Sequence, residues 1–331
     1  MTFDPKAWID AMRAGDRAAL GRAVSLVESA RADDRPKAAA LLAALGPARA
    51  DVHRVGVTGP PGVGKSTLID RLGVRTLEAG HRVAVLAVDP SSERSGGSIL
   101  GDKTRMTRLV ADPRAFVRPS PSRGALGGVA RRTREVMRLL EGVGYDRVFV
   151  ETVGVGQSEA LVAQLTDTVV GLLSPGIGDG LQGVKRGLLE WVDVAAVTHA
   201  DGPQAEAAER TRRQFEAALS LFEGRDDGWR VAVFAVSSTE GTGIDTLFEA
   251  VEAHHRHLCA GGRLPARRAA QRVRWMWHLV ETGLVERLRS SSAAATWEAA
   301  VARGEAAPET VADRIVRQCA ETLAGAVEHG A

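Results

Sequence analysis

Two cysteines, one tyrosine and an aromatic share of only 4% are what this 331-residue chain has least of. Cys259 and Cys319 lack the CxxC spacing of a metal or redox motif and make no disulfide framework, so they read as free thiols in a reducing compartment. Scarce aromatic rings argue against a stacking platform for single-stranded nucleic acid. Neither sign of charge prevails. With 43 Lys and Arg against 41 Asp and Glu, the formal net charge is +2, and nothing pulls the chain toward nucleic acid or an anionic membrane. No run of about 18 apolar residues occurs, and Met1-Thr2-Phe3-Asp4-Pro5 has no basic-then-apolar leader pattern. A cytoplasmic protein without membrane segments is the expectation.

What is present is ordinary globular material, 44% hydrophobic and 25% charged, enough for one large core. Residues 1–50 read as a helical extension. Asp4 and Pro5 suit an N-cap and first helical position, and Trp8, Ile9, Met12, Leu20, Val24 and Val27 recur at helical spacing. A second helix follows Asp33-Asp34-Arg35-Pro36 and stops near Gly46-Pro47.

Over residues 51–260 the pattern becomes short apolar, β-branched runs at 52–58, 83–88, 148–150, 168–173, 192–197 and 231–236, separated by helix-length segments. Strands covered by helices on both faces read this way, so the fold class is α/β, a doubly wound and mostly parallel sheet with ligands at the carboxyl ends of its strands. Residues 261–331 read as helical, beginning with a long basic helix over 263–289 that contains Trp275-Met276-Trp277. An oligomer interface is the expected use of that cluster, in a carboxyl-terminal dimerisation arm.

Gly59-Pro60-Pro61-Gly62-Val63-Gly64-Lys65-Ser66 is a complete GxxxxGK[ST] motif, set directly after a strand and before the helical Thr67-Leu68-Ile69. Its glycines let backbone N–H groups turn toward phosphates, and the helix N-terminus adds positive potential. Lys65 is placed to reach β- and γ-phosphates, and the Ser66 hydroxyl to ligate Mg²⁺. Three carboxylates at strand or loop ends are candidates for the same ion: Asp89, Asp102 and Glu151. Glu151-Thr152-Val153-Gly154 has the form of the acidic-x-x-Gly element that senses a γ-phosphate, with Gly154 as its glycine.

Guanine-selective P-loop proteins usually carry Asn-Lys-x-Asp after a strand. Here Thr198-His199-Ala200-Asp201 stands in that place. Asp201 presents acceptors that suit guanine and repel the adenine N1 lone pair. Thr198 keeps a hydroxyl able to hold the loop, His199 could lie flat on the base, and Ser237-Ser238-Thr239 would form a second wall.

With these blocks in view, the chain resembles the MeaB family of methylmalonyl-CoA mutase-associated GTPases, also described as ArgK-type transport ATPases. The resemblance covers nearly the whole chain. Beyond the phosphate motif and Glu151-Thr152-Val153-Gly154-Val155-Gly156-Gln157-Ser158-Glu159, it rests on Val88-Asp89-Pro90-Ser91-Ser92 and on the segment 96–102. Further blocks are Ser122-Arg123-Gly124-Ala125-Leu126-Gly127-Gly128, the segment 175–185 and Val273-Arg274-Trp275-Met276-Trp277. The resemblance implies a homodimeric, Mg²⁺-dependent GTPase. Its partner would be a B12-dependent acyl-CoA mutase, whose cofactor loading it gates and which it protects from inactivation. It also implies that Asp89, Asp102 and Glu151 are Mg²⁺-linked, and that Gln182 and Lys185 lie in a switch that reports nucleotide state to the mutase. The family's usual Asn-Lys is absent at Thr198-His199, which points to altered base affinity or to a different client mutase.

Hydrolysis would proceed by in-line attack of water on the γ-phosphate. Val155, not glutamine, follows Gly154, so slow intrinsic turnover is expected. Arg105 and Arg108 are candidate charge stabilisers, more readily read as solvated surface residues. His254-His255-Arg256-His257 has no carboxylate set beside it in sequence and is expected to be structural, not metal-binding. Two other readings stay open: an ATPase of transport type, and a nucleotide-binding scaffold with little hydrolysis.

Overall fold

The short β-branched runs form strands because helices can cover them on both faces, and the strands share one sheet. The computed structural model of the chain describes residues 3–47, 49, 51–88, 106–119, 126–152, 158–176, 191–220 and 228–328, without the side chains of 88, 119, 126–129, 158–160 and 323–328. Seven strands are described: β1 (His53–Thr58), β2 (Val83–Val88), β3 (Ala115–Pro119), β4 (Arg147–Thr152), β5 (Thr168–Leu173), β6 (Val194–Val197) and β7 (Ala232–Ala235). Their order is β3-β2-β4-β1-β5-β6-β7, and every pairing is parallel. β1 sits at the centre, so the chain leaves it by crossing over β4 to reach β2, and the loop after β1 falls where ligands bind in doubly wound sheets.

Helices α4 (Lys65–Glu78), α5 (Thr107–Ala111), α6 (Leu126–Gly142), α7 (Ser158–Leu165), α8 (Ala205–Ser220) and α9 (Ile244–Cys259) lie between or after the strands. The core under α4 and α9 joins Leu68, Ile69 and Leu72 to Val55, Val57, Phe149 and Leu247, all within 1% exposure. Burial of this kind stabilises by about 1.5–3 kcal/mol per large side chain. β3 has no counterpart among the expected strands. It is an edge strand, and Arg118 and Pro119 interrupt its apolar run, which is tolerated only where one side needs no partner.

The amino-terminal extension contains three helices, not two: α1 (Pro5–Arg13), α2 (Arg17–Glu28) and α3 (Asp34–Ala44). The break between α1 and α2 is Gly15, at φ +95°, after which Asp16 caps α2 by accepting from Ala18 N (2.8 Å) and Ala19 N (2.9 Å). The spacing of Met12 to Leu20 spans this turn without revealing it. These helices are tied to the sheet by Arg17, which donates to Ala115 O (2.9 Å), and by the Arg118–Glu28 pair (2.6 Å). Glu28 thereby covers the β3 edge, and its burial raises the pKa of its carboxyl.

The chain divides into two compact units, Met1–Arg274 and Trp275–Ala331. Helix α10 (Arg263–Arg289) contributes its first turns to the first unit. In the second, its remainder joins α11 (Ala294–Ala302) and α12 (Pro308–Glu328) around an apolar cleft of about 460 Å³ lined by Trp297, Val301, Val311 and Ile315. Among the described residues, no helix is long and apolar enough to cross a membrane.

Candidate nucleotide-binding site

The phosphate motif lies between the end of β1 and the first turn of α4. Gly59, Gly62 and Gly64 have φ of +153°, +77° and +91°, a backbone that side-chain-bearing residues rarely adopt. Gly59 is also fixed by space, because a Cβ there would lie 2.7 Å from the Leu172 carbonyl on β5. Lys65 is the first residue of α4. Its ammonium donates to the carbonyls of Gly59 and Pro60, each at 2.9 Å, so it lies along the concave side of the loop. Pro61, Val63 and Thr67 fill the same strand–loop–helix turn, with Val63 buried.

Ser66 and Glu151 come together although 85 positions separate them. Parallel register sets Val57 of β1 opposite Glu151 of β4, so the end of β4 lies beside the end of β1, from which the chain leads through the loop into α4. The Ser66 hydroxyl donates to Glu151 Oε1 at 2.6 Å, and both residues are buried. Beside them, Thr152 donates to the Thr58 hydroxyl at 3.2 Å. A hydroxyl and a carboxylate are hard oxygen donors, the chemistry that fits Mg²⁺. Asp89, Asp102, Gly154, Gln182, Lys185 and Arg105 lie outside the described residues. Arg108 is exposed on α5, whose backbone is anchored by Asp70 of α4 accepting from Leu109 N at 3.0 Å.

The Thr198-His199-Ala200-Asp201 segment follows β6 and abuts the phosphate loop directly. Thr198 is buried, and its hydroxyl lies 2.8 Å from the Val63 carbonyl and 3.2 Å from that of Leu173. His199 is, among the described residues, the one non-glycine at positive φ (+55°), a conformation histidine tolerates better than most. Its ring is exposed and points toward the loop, 3.8 Å from where a Cβ on Gly64 would be. Asp201 accepts a short hydrogen bond from the buried Ser237 hydroxyl, which in turn accepts from Glu240 N at 3.0 Å. The loop after β7 is therefore folded around Ser237 and presents Asp201 at its rim.

Arg71 gave no signal in the sequence. It is a polar position on an amphipathic helix with no motif around it. In the structure it donates from Nε to Ser238 O (2.7 Å) and from its second amino group to Thr239 O, tying the Ser237–Thr239 wall to the phosphate-loop helix.

The histidines of α9 stand elsewhere, at the amino-terminal ends of the strands. There the Thr168 hydroxyl bridges His53 Nε2 (2.7 Å) and His254 Nδ1 (2.8 Å), and His53 stacks on His255 at 4.1 Å between ring centres. Arg147 makes a bidentate pair with Glu252 at 3.0 Å, and Arg268 one with Asp167 at 2.9 and 2.6 Å. Burial, with His53 and Arg147 adding like charge, pushes His255 down to about 4. Among the described residues, no group of three or more His, Cys, Asp or Glu could hold a metal ion.

The described geometry agrees with what comparison with other proteins finds. A Mycobacterium tuberculosis protein named a probable GTPase is 49% identical over 310 residues, 92% of each chain. The mouse mitochondrial methylmalonic aciduria type A homolog is 43% identical over 286 residues, covering 83% of this chain and 69% of that one. A crystal structure of an LAO/AO transport system kinase superposes with a TM-score of 0.77 at 33% identity, over 96% of this chain and 97% of the other. The profile of the family described as methylmalonyl Co-A mutase-associated GTPase MeaB matches residues 20–293. With a P-loop at the centre of an all-parallel sheet and relatives named as GTPases over nearly its whole length, this chain belongs to the MeaB family and is a P-loop GTPase.

Proposed function

We propose that this GTPase acts as the chaperone of a B12-dependent acyl-CoA mutase, gating cofactor loading and protecting the mutase from inactivation. The observation that carries the reading is the family match over residues 20–293, since the family is described by its association with methylmalonyl-CoA mutase. The mouse relative's name, which refers to methylmalonic aciduria, supports it.

In this reading the loop N–H groups and the Lys65 ammonium hold the β- and γ-phosphates, and Lys65 moves from the Gly59 and Pro60 carbonyls onto them. Ser66 and Glu151 would hold Mg²⁺, with Asp89 and Asp102 as further donors. The ion, when bound, neutralises charge developing on the phosphoryl oxygens. Thr198 keeps the loop in place through Val63, His199 covers one face of the base, and Asp201 accepts from the guanine N–H groups. Asp201 is held ready for that by Ser237. Gly154 would report the γ-phosphate, and Gln182 and Lys185 would pass its presence to the mutase. Turnover is slow without the partner, because Val155, not a water-orienting glutamine, follows Gly154.

The experiment compares binding of Mg-GDP and Mg-ATP to wild type and Asp201→Asn, then GTP turnover with and without methylmalonyl-CoA mutase. Tight GDP binding lost in the variant, and turnover raised by the mutase, are expected. Preference for ATP would remove the guanine site, and turnover indifferent to every acyl-CoA mutase tried would remove the chaperone role. Phosphoryl transfer serving a transport system is a second reading, favoured by the name of the solved relative. Preference for ATP would bring it forward.

A further inference from the structure

Six arginines, Arg49, Arg54, Arg134, Arg138, Arg268 and Arg272, converge on one cavity of about 410 Å³ in the first unit. It lies at the opposite end of β1 from the phosphate loop: Arg54 is the second residue of that strand, and Arg268 and Arg272 stand on the first turns of α10. Among the described residues that line it, Glu141 is the one carboxylate.

Charge accounting decides whether this is a neutralised cluster or a receptor for an anion. Glu141 is taken by a bidentate pair with Arg54 at 2.6 and 2.8 Å. Asp167 is taken by Arg268, and Asp51 by Arg49. Three carboxylates thus engage three guanidinium groups. Arg138 and Arg272 remain, both exposed and both without a hydrogen bond or ion pair among the described residues. The half-buried Arg134 donates to the Gln164 carbonyl, and burial, with the Arg54 charge adding to it, pulls its pKa down to about 10. Arginines on an open surface are ordinarily solvated and carry no site. These differ in lining a concavity of ligand size, within the roughly 300–1,000 Å³ usual for small-molecule pockets. One wall is apolar, built from Met137, Leu165, Leu264 and Pro265.

We propose that this cavity is a second anion site, which binds a small phosphorylated molecule with at least two negative charges and an apolar group. Planar guanidinium forks match phosphate oxygens in pairs, and the apolar wall takes the remainder of the ligand. Arg138 and Arg272 would make direct contacts and supply the unneutralised charge, while Arg54 and Arg268, braced by Glu141 and Asp167, form fixed parts of the lining.

The test titrates inorganic pyrophosphate into the full-length protein saturated with Mg-GDP, by calorimetry. One binding event is expected in the wild type, weakened at least about tenfold in Arg138→Glu/Arg272→Glu and weakened by added salt. Arg256→Glu, an exposed charge reversal away from the cavity, should leave it unchanged, and Mg-GDP affinity should be the same in all three proteins. Absence of binding in the wild type, or equal binding by the double variant and Arg256→Glu, overturns the site. Tighter binding of citrate than of pyrophosphate overturns the assignment to phosphate. The arginine variants report on this cavity whether or not GDP fills the phosphate loop, so the outcome stands apart from that of the nucleotide experiment.

Discussion

The Thr198 hydroxyl lies 2.8 Å from the Val63 carbonyl, joining the end of β6 to the middle of the phosphate loop. The link crosses 135 residues of sequence and uses a side chain shorter than the asparagine usual at that place. Thr198→Val keeps the shape and removes the hydrogen bond, leaving the Val63 carbonyl short of a donor, while the Leu173 carbonyl keeps the residue 198 backbone N–H at 2.9 Å. Mg-GDP affinity is expected to fall about tenfold, or roughly 1.4 kcal/mol, with thermal stability also lowered. Isothermal titration of the variant beside Thr198→Asn checks this. Undiminished affinity in Thr198→Val would show that the loop holds its shape without the hydroxyl.

Ser66 and Glu151 should govern the metal requirement. Ser66→Ala is expected to raise the Mg²⁺ concentration needed for GTP turnover and to slow turnover about a hundredfold at fixed Mg²⁺, the scale set by losing one preorganised electrostatic contact. Glu151→Gln keeps a hydrogen-bond acceptor for Ser66 but not the charge, so it should resemble Ser66→Ala in turnover while folding normally. Turnover against Mg²⁺ concentration reads both.

Acid stability should be written at the other end of the sheet. His255 has its pKa depressed from 6.5 to about 4 by burial, beside His53 and Arg147, with Glu252 and Asp167 opposing. A depressed histidine is neutral in the folded protein, so its contribution is complete above the unfolded value and is lost as pH falls from 6.5 toward 4. Asp167 and Glu252 are also depressed, because Arg268 at Asp167, and His53 with Arg147 at Glu252, outweigh the desolvation of their carboxylates, and their contributions disappear at still lower pH. All three signs agree. Melting temperature should decline from pH 6.5 to 4, and His255→Phe should flatten that part of the profile by at most about 3 kcal/mol. A profile identical to wild type would mean that another group titrates there.

The second unit presents Met276, Trp277, Val280 and Leu284 along one side of α10, between 40% and 56% exposed. Side chains at this spacing form a single stripe, and an apolar stripe of this kind marks a contact surface. As the reading of a carboxyl-terminal dimer arm requires, Trp277→Glu should convert a dimer into a monomer in sedimentation velocity without loss of helix content. A monomeric wild type would remove the arm's proposed role.

The sheet was legible where strands are central and apolar: the runs at 83–88 and 168–173 coincide with β2 and β5 to the residue. β3 was not, because an edge strand with Arg118 and Pro119 need not alternate or stay apolar. The helical break at Gly15 hid behind an apolar spacing that happens to continue across it. At the site, Gly59 to Ser66 and Glu151 stand out by type and spacing, since phosphate and metal chemistry would restrict both, and the structure brings Ser66 and Glu151 together. Arg71 could not, for its partners are backbone carbonyls that leave no trace in composition. The same holds for the ring of His53, Thr168 and His254, polar residues at strand starts with no period to announce them.

Arg71 has a consequence beyond holding a loop. Because it grows from the helix that begins at Lys65 and grips the carbonyls of Ser238 and Thr239, the parts proposed to grasp the two ends of a nucleotide are mounted on one lever. In the proposed reading, a displacement of that helix by a phosphate group would be delivered to the wall around the base, so recognition of the ring and sensing of the phosphate tail would be mechanically a single act.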